Sequence, residues 1–215
     1  MGGQQSNESN TNTNTDDKNT NINKIIIKKK IEFSKFEVVM CPSERYNEIK
    51  PRLAEISSIA EPEDEFDIWD GSLILVGYTS DGIIQAYLTV IDTQSYIKIG
   101  KKYITDIYEL YQDFRKRGGL MIPGTKGGFL TSLSGNVNEY YDLGNGMMEQ
   151  LYRVTDGLDY LFLHVSESKP TKDKLIRLYE KYGFKIIEPQ SESMYTESNG
   201  EKFIIMRKTL KSIQF

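Results

Sequence analysis

Apolar residues are almost absent from the first stretch of the chain and then recur in two rhythms, one of period two and one near 3.6. Met1 to Asn23 is built of Asn, Thr, Ser and Gln, and Ile22 is its only sizeable apolar residue after Met1. Such a segment buries too little surface to offset the entropy of ordering, so residues 1–30 are expected to form a disordered polar tail. Ile31 to Met40 alternates and carries β-branched residues, which predicts a strand. From Ser43 to about Ala60 the spacing of Leu53, Ile56 and Ile59 predicts a helix, with Pro51 expected to split it. The acidic stretch Glu61 to Asp70 reads as a loop or short helix. Leu73–Tyr78, the turn Ser80-Asp81-Gly82 and Ile83–Ile91 read as a β-hairpin.

Ile104 to Tyr111 is a further strand candidate, and Asp113 to Gly119 a basic loop ending in glycine. The region after it, to Leu143, shows neither rhythm and reads as irregular. Gly144 to Thr155 predicts a short helix with Met148, Leu151 and Tyr152 on one face, and Tyr160 to Val165 a strongly apolar strand. Lys172 to Tyr182 places Leu175, Ile176, Leu178, Tyr179 and Tyr182 at helical spacing. Gly183 stands where a left-handed stop belongs, and Phe184–Ile187 and Phe203–Leu210 follow as strands. An early antiparallel hairpin and late αβ alternation define an α/β (mixed α+β) class, a mixed sheet with helices on both faces.

Composition narrows the function. The 215 residues are 38% hydrophobic, enough for one domain over 31–215. The formal net charge is −4. From Ile31 onward 22 basic residues face 28 acidic ones, which argues against a nucleic-acid binder and leaves room only for a local basic patch. Cys41 is the one cysteine and His164 the one histidine, so no intramolecular disulfide can form and no metal is expected. That usage fits reducing, cytoplasmic surroundings. His164, in an apolar strand, and Cys41 both read as packed residues without a chemical role. Met1-Gly2-Gly3-Gln4-Gln5-Ser6 fits the N-myristoylation pattern, with Gly2 as acceptor. Lys24 and Lys28 to Lys30, each worth about 1 kcal/mol at an anionic surface, would add the second signal that reversible membrane attachment needs.

Leu178-Tyr179-Glu180-Lys181-Tyr182-Gly183-Phe184, followed by a last strand that contains Met206-Arg207-Lys208-Thr209-Leu210, resembles the GNAT superfamily of acyl-CoA-dependent N-acetyltransferases. Members often show Leu-Tyr-x-x-x-Gly-Phe and a final Met-x-Lys-x-Leu. Read from the residues alone, the same stretch is also an ordinary αβ junction with its tyrosine packed as a large apolar group. The order of elements over about Phe33 to Leu210 follows the family, whose sheet has six to seven strands. The resemblance implies acetyl-CoA as acyl donor, an amine acceptor, small molecule or protein, and direct attack in a ternary complex. A degenerate fold that binds an acyl-CoA or a protein without turnover is the alternative.

Residue by residue, Tyr179 falls at the family's general acid. The family's Arg/Gln-x-x-Gly-x-Gly/Ala phosphate loop has two partial counterparts: Arg115, Lys116, Arg117, Gly118 and Gly119, which departs at Leu120, and Gly144-Asn145-Gly146, which lacks a preceding arginine. They are expected to be two halves of one loop separated by an insertion near 120–142 that could act as a lid. The backbone of Leu110, Tyr111 and Gln112 is expected to meet the cofactor's pantetheine arm, with Tyr160–Val165 as the splayed partner strand. Glu109 is the candidate general base and Asp106 the runner-up. Their spacing of three puts them on opposite faces of a regular strand. Lys172 stands where the family commonly has asparagine, and could reach a cofactor phosphate.

Overall fold

The computed structural model describes residues 27–62, 66–95, 125–187 and 202–211, and the backbone of 194–196. Strands β1 (Lys29–Lys30), β2 (Lys35–Met40), β3 (Leu73–Tyr78), β4 (Ile84–Asp92), β5 (Gly127–Gly135), β6 (Tyr140–Tyr141), β7 (Tyr160–Ser166), β8 (Lys185–Ile186), β9 (Met194–Thr196) and β10 (Lys202–Thr209) are joined by helices α1 (Glu44–Ala60), α2 (Leu143–Glu149) and α3 (Lys172–Lys181). The main sheet has the order β2-β3-β4-β5-β7-β10-β8, with β9 added on β10. Its neighbours are antiparallel except β5 and β7, which run parallel.

Helix α1 starts where the sequence predicts. The Ser43 side chain accepts from the Tyr46 N–H at 3.0 Å and caps it, and Tyr46, Ile49, Leu53 and Ile56 are buried along one face. The expected break at Pro51 does not occur. Pro51 lies on the exposed side, and the buried Leu53 and Ile56 beyond it hold the helix on the sheet, so the lost hydrogen bond is tolerated. The hairpin turns through Gly82 at φ 79°, with the Thr79 hydroxyl donating to Asp81 at 2.6 Å.

The sheet is covered on both faces. Ala86, Leu88 and Val90 of β4 and Leu161, Leu163 and Val165 of β7 form one core with α2 and α3, which contributes Tyr179. Tyr87 and Ile74 pack with α1 on the other side, beside a smaller cluster of Ile91, Phe129, Tyr160 and Phe162. Burial on both faces explains why β4 and β7 read as nearly continuous apolar runs.

Four expectations need correction. The predicted insertion at 120–142 contains β5, a central strand, and β6. Its glycine pair resembles a loop, but a Cβ on Gly127 would lie 2.2 Å from the Tyr160 ring, and one on Gly128 would lie 2.6 Å from Leu158. The cross-strand side chains fill the space the glycines leave. The polar tail is not structureless to residue 30, because β1 pairs in parallel with β6: Lys29 N–H donates to Glu139 O at 2.9 Å and Ile31 N–H to Tyr141 O at 3.1 Å. The first predicted strand, Ile31–Met40, is accordingly β2 alone from Lys35. Tyr152 is 63% exposed, because the chain tightens after Glu149 into a 3-10 turn, Leu151–Val154, in which Leu151 and Val154 take the buried side.

Candidate active site

β5 and β7 pair only from Gly127↔Tyr160 to Leu130↔Leu163. Beyond that point β5 continues to Gly135 and β7 to Ser166 without pairing to each other. Each arm is held from outside. β4 follows β5 from Asp92↔Gly128 to Ala86↔Gly135, and β10 follows β7 from Thr209↔Tyr160 to Phe203↔Ser166. The opening is therefore a fork built into the sheet rather than a frayed edge, and its inner edges carry backbone groups that β-pairing leaves to other partners.

A bulge lies at the branch point. Thr89 pairs with Ser132 and Val90 with Leu130, which leaves Thr131 as the extra residue, and its hydroxyl lies 2.5 Å from that of Thr89. The fork arm is thus Thr131–Gly135 of β5, the last described strand of the main sheet before the Gly144 loop. Ile104–Tyr111, to which the sequence assigns that role, lies outside the described residues. Glu109, Leu110, Tyr111, Gln112, Arg115, Arg117, Gly118, Gly119 and Asp106 lie outside the described residues, as does Gly2.

The loop that follows the fork arm is continuous from Asn136 through Tyr140–Tyr141 to the start of α2. The Gly144-Asn145-Gly146 half of the expected two-part loop is thus described, and its other half, Arg115 to Gly119, lies outside the described residues. Asp142 precedes α2 at φ 69° and receives the Asn145 side-chain amide at 2.5 Å. Lys30 lies 3.6 Å from the Asp142 carboxylate. Lys181 donates to the Asn145 side-chain oxygen at 2.6 Å, and the Tyr182 hydroxyl to the Asn145 carbonyl at 3.1 Å. Gly144 and Gly146 are closely packed. A Cβ on Gly144 would stand 2.8 Å from Leu178, and one on Gly146 would stand 2.6 Å from the Phe33 ring. Lys172 opens α3, about 13 Å along the helix from Lys181, which meets the loop as Lys30 does.

Tyr179 is 6% exposed, with its ring edge-on to Phe184 at 5.8 Å. Burial, followed by the charge of Glu61, pushes its phenol well above the usual range, so it holds its proton at neutral pH. Glu61 ends α1 on the other face of the sheet and contacts the ammonium of Lys169, which follows β7. Sequence reasoning missed both residues. His164, the first residue of β7 beyond the branch, lies 4.8 Å from Phe129 and 5.9 Å from Phe203, centroid to centroid. Burial raises the Cys41 thiol pKa, in keeping with a packed residue.

A cavity of about 420 Å³, lined in part by Asp92, Lys126, Asp156 and Leu158, lies at the paired end of β5 and β7, away from the fork. Among the described residues no group of three or more His, Cys, Asp or Glu could hold a metal, and no helix is long and apolar enough to cross a membrane.

This sheet order, with its single parallel pair opened at one end, is the GNAT N-acetyltransferase fold, and the chain has it. A Corynebacterium glutamicum structure described as a histone acetyltransferase and related acetyltransferase matches 83% of this chain and 99% of its own, with a TM-score of 0.51 at 12% identity. The ribosomal-protein-S18-alanine N-acetyltransferase of Escherichia coli matches 84% of this chain and 100% of its own, with a TM-score of 0.49 at 14% identity. A Bacillus subtilis acetyltransferase in complex with CoA matches 82% of this chain and 100% of its own, with a TM-score of 0.48 at 9% identity. No protein-family model matches the sequence, and no curated protein does.

Proposed function

We propose that the protein is an N-acetyltransferase that takes its acetyl group from acetyl-CoA and passes it to a primary amine. The observation that carries this reading is the fork between β5 and β7, with each arm clamped by an outer strand along its length. An extended chain of amide groups, such as a pantetheine arm, can pair with the inner edges of Thr131–Gly135 and His164–Ser166 as an added strand would. The donor supplies the thioester. On this reading Tyr179, which stays protonated, delivers a proton toward the sulfur that leaves. The base is a carboxylate, for which Glu109, with Asp106 second, is the candidate that the sequence supplies. Gly144, Asn145 and Gly146 belong to the loop that would receive the diphosphate, with Lys30 and Lys181 as the nearby cations.

Release of free CoA thiol from acetyl-CoA in the presence of an amine panel tests the reading. Tyr179→Phe should lower kcat by about 10²- to 10⁴-fold, the range of general-acid contributions, with acetyl-CoA affinity unchanged. A variant as active as the parent would remove Tyr179 from the reaction. A second reading, a module that binds CoA without turnover, is favoured by Asp142, whose carboxylate stands at the mouth of the loop. Thermal stabilisation by CoA with no thiol release from any amine would select it. The amino-terminal segment adds a separate proposal, reversible membrane attachment through myristoylated Gly2. Metabolic labelling with an alkynyl myristate should mark the parent and not Gly2→Ala.

A further inference from the structure

Helix α1 crosses one face of the sheet from β2 over β4 to β5. By Arg52 it has reached the open end of the fork, where the guanidinium donates to the Ile84 carbonyl at 2.9 Å and to the Gln85 side chain at 3.2 Å. Gln85 in turn receives the Asn136 side-chain amide at 3.0 Å, just past the end of β5. The helix then runs on to Ala60, and Glu61 caps it with its N–H donating to Ser57 O at 2.7 Å. The side chain of Glu61 therefore starts from a fixed point. Its contact with Lys169 joins the arm carrying α1 to the loop that leaves β7, so this ion pair spans the mouth of the fork.

The position favours a cation for two reasons that add. The last turn of α1 has no basic residue, so the negative end of a 17-residue helix is not compensated from within, and a carboxylate stands on it. Lys169 presents a primary ammonium to that site, the same group that an amine acceptor carries before it loses its proton. Glu61 and Lys169 side chains are 39% and 35% exposed, so water reaches the pair and an incoming ammonium can exchange with the lysine at little cost. Glu61 also raises the Tyr179 phenol from the opposite side of the sheet, as expected where the strands between them stand apart.

We propose that Glu61 receives the ammonium of the acceptor at the mouth of the fork, and that Lys169 occupies this place when no acceptor is bound. The proposal rests on the acetyltransferase reading and adds to it the residue that binds the acceptor's ammonium. Thiol release is measured with acetyl-CoA and a panel of an arylalkylamine, a polyamine and a lysine-containing peptide, for the full chain and for Glu61→Gln, Glu61→Asp and Lys169→Met. Acetyl-CoA affinity is followed by calorimetry.

Glu61→Gln should raise the acceptor KM by about 2- to 5-fold, the scale of a water-exposed ion pair, with acetyl-CoA affinity unchanged. Glu61→Asp should recover part of the loss, and Lys169→Met should lower the acceptor KM by removing the internal competitor. An ion pair with a structural role alone would lower the thermal midpoint in Glu61→Gln and Lys169→Met alike and leave the acceptor KM where it was. That result overturns the inference. Acetyl-CoA binding with no turnover of any amine overturns it too, while the cofactor site stands. A parent that neither binds acetyl-CoA nor releases thiol removes the acetyltransferase reading and this inference together.

Discussion

Glu37 on β2 is held by Arg45, whose guanidinium donates at 2.9 and 3.0 Å, and by the Tyr78 hydroxyl at 2.5 Å. The Arg45 hydrogen bond is the largest cause that pulls its carboxyl down to about 2, against a burial cost, while burial first and Glu37 second push Tyr78 up to about 12. Between about pH 2 and 4.5 the unfolded chain binds a proton at Glu37 that the folded chain does not. Stability from this group is therefore present above the ordinary carboxylate pKa and is lost as pH falls through that window. Glu37→Gln should cost about 1–2 kcal/mol at pH 7, discounted for the water that reaches the pair, and the difference should vanish near pH 2 in urea melts. At this scale the sequence was uneven as a guide. The place of Tyr179 in a helix was legible because a tyrosine late in an amphipathic run, with glycine four positions on, makes a local pattern. Glu61 was not, because its partner lies 108 residues away and only the crossing of α1 over the fork brings the two together.

Helices and the strongly apolar strands β3, β4 and β7 were the readable elements, since their buried faces recur within a few residues: Ser43 starts α1 and Gly183, at φ 85°, stops α3. Ser43→Ala should destabilise by about 1 kcal/mol in denaturant titration, the usual cost of a lost cap. β5 was not readable. A strand that begins with two glycines and continues through Thr131, Ser132 and Ser134 signals a loop, and its place is set by Tyr160 and Leu158, which are folded against it from later in the chain. The apolar pair Phe129-Leu130, upstream of the Gly144 loop, was the signal that could have located it. Gly127→Ala should cost about 2–4 kcal/mol by overpacking against the Tyr160 ring. Paired with Tyr160→Leu, the same change should cost less than the sum of the two single variants. Additive costs in that cycle would mean that the ring does not set the glycine.

Across the molecule, the two faces of the sheet carry separate cores, and the fork is the place where groups from both faces approach each other: Tyr179 from beneath α3, and Glu61 from the end of α1. The fork costs backbone pairing, and the outer strands β4 and β10 bear the load of holding its arms in place. Amide hydrogen exchange separates this arrangement from a sheet that closes in solution. In the free protein, amides of the paired stretch from Gly127 to Leu130 and from Tyr160 to Leu163 should be slow, as interior ladder groups are. Those of Thr131–Gly135 that turn away from β4 should be fast. CoA should slow this second set, because its amide groups would pair along that edge, and should leave β2 and β3 as they were. Slow exchange across the whole of both strands before CoA is added would mean that the arms pair in solution. The groove on which the acyl-carrier reading depends would then not exist.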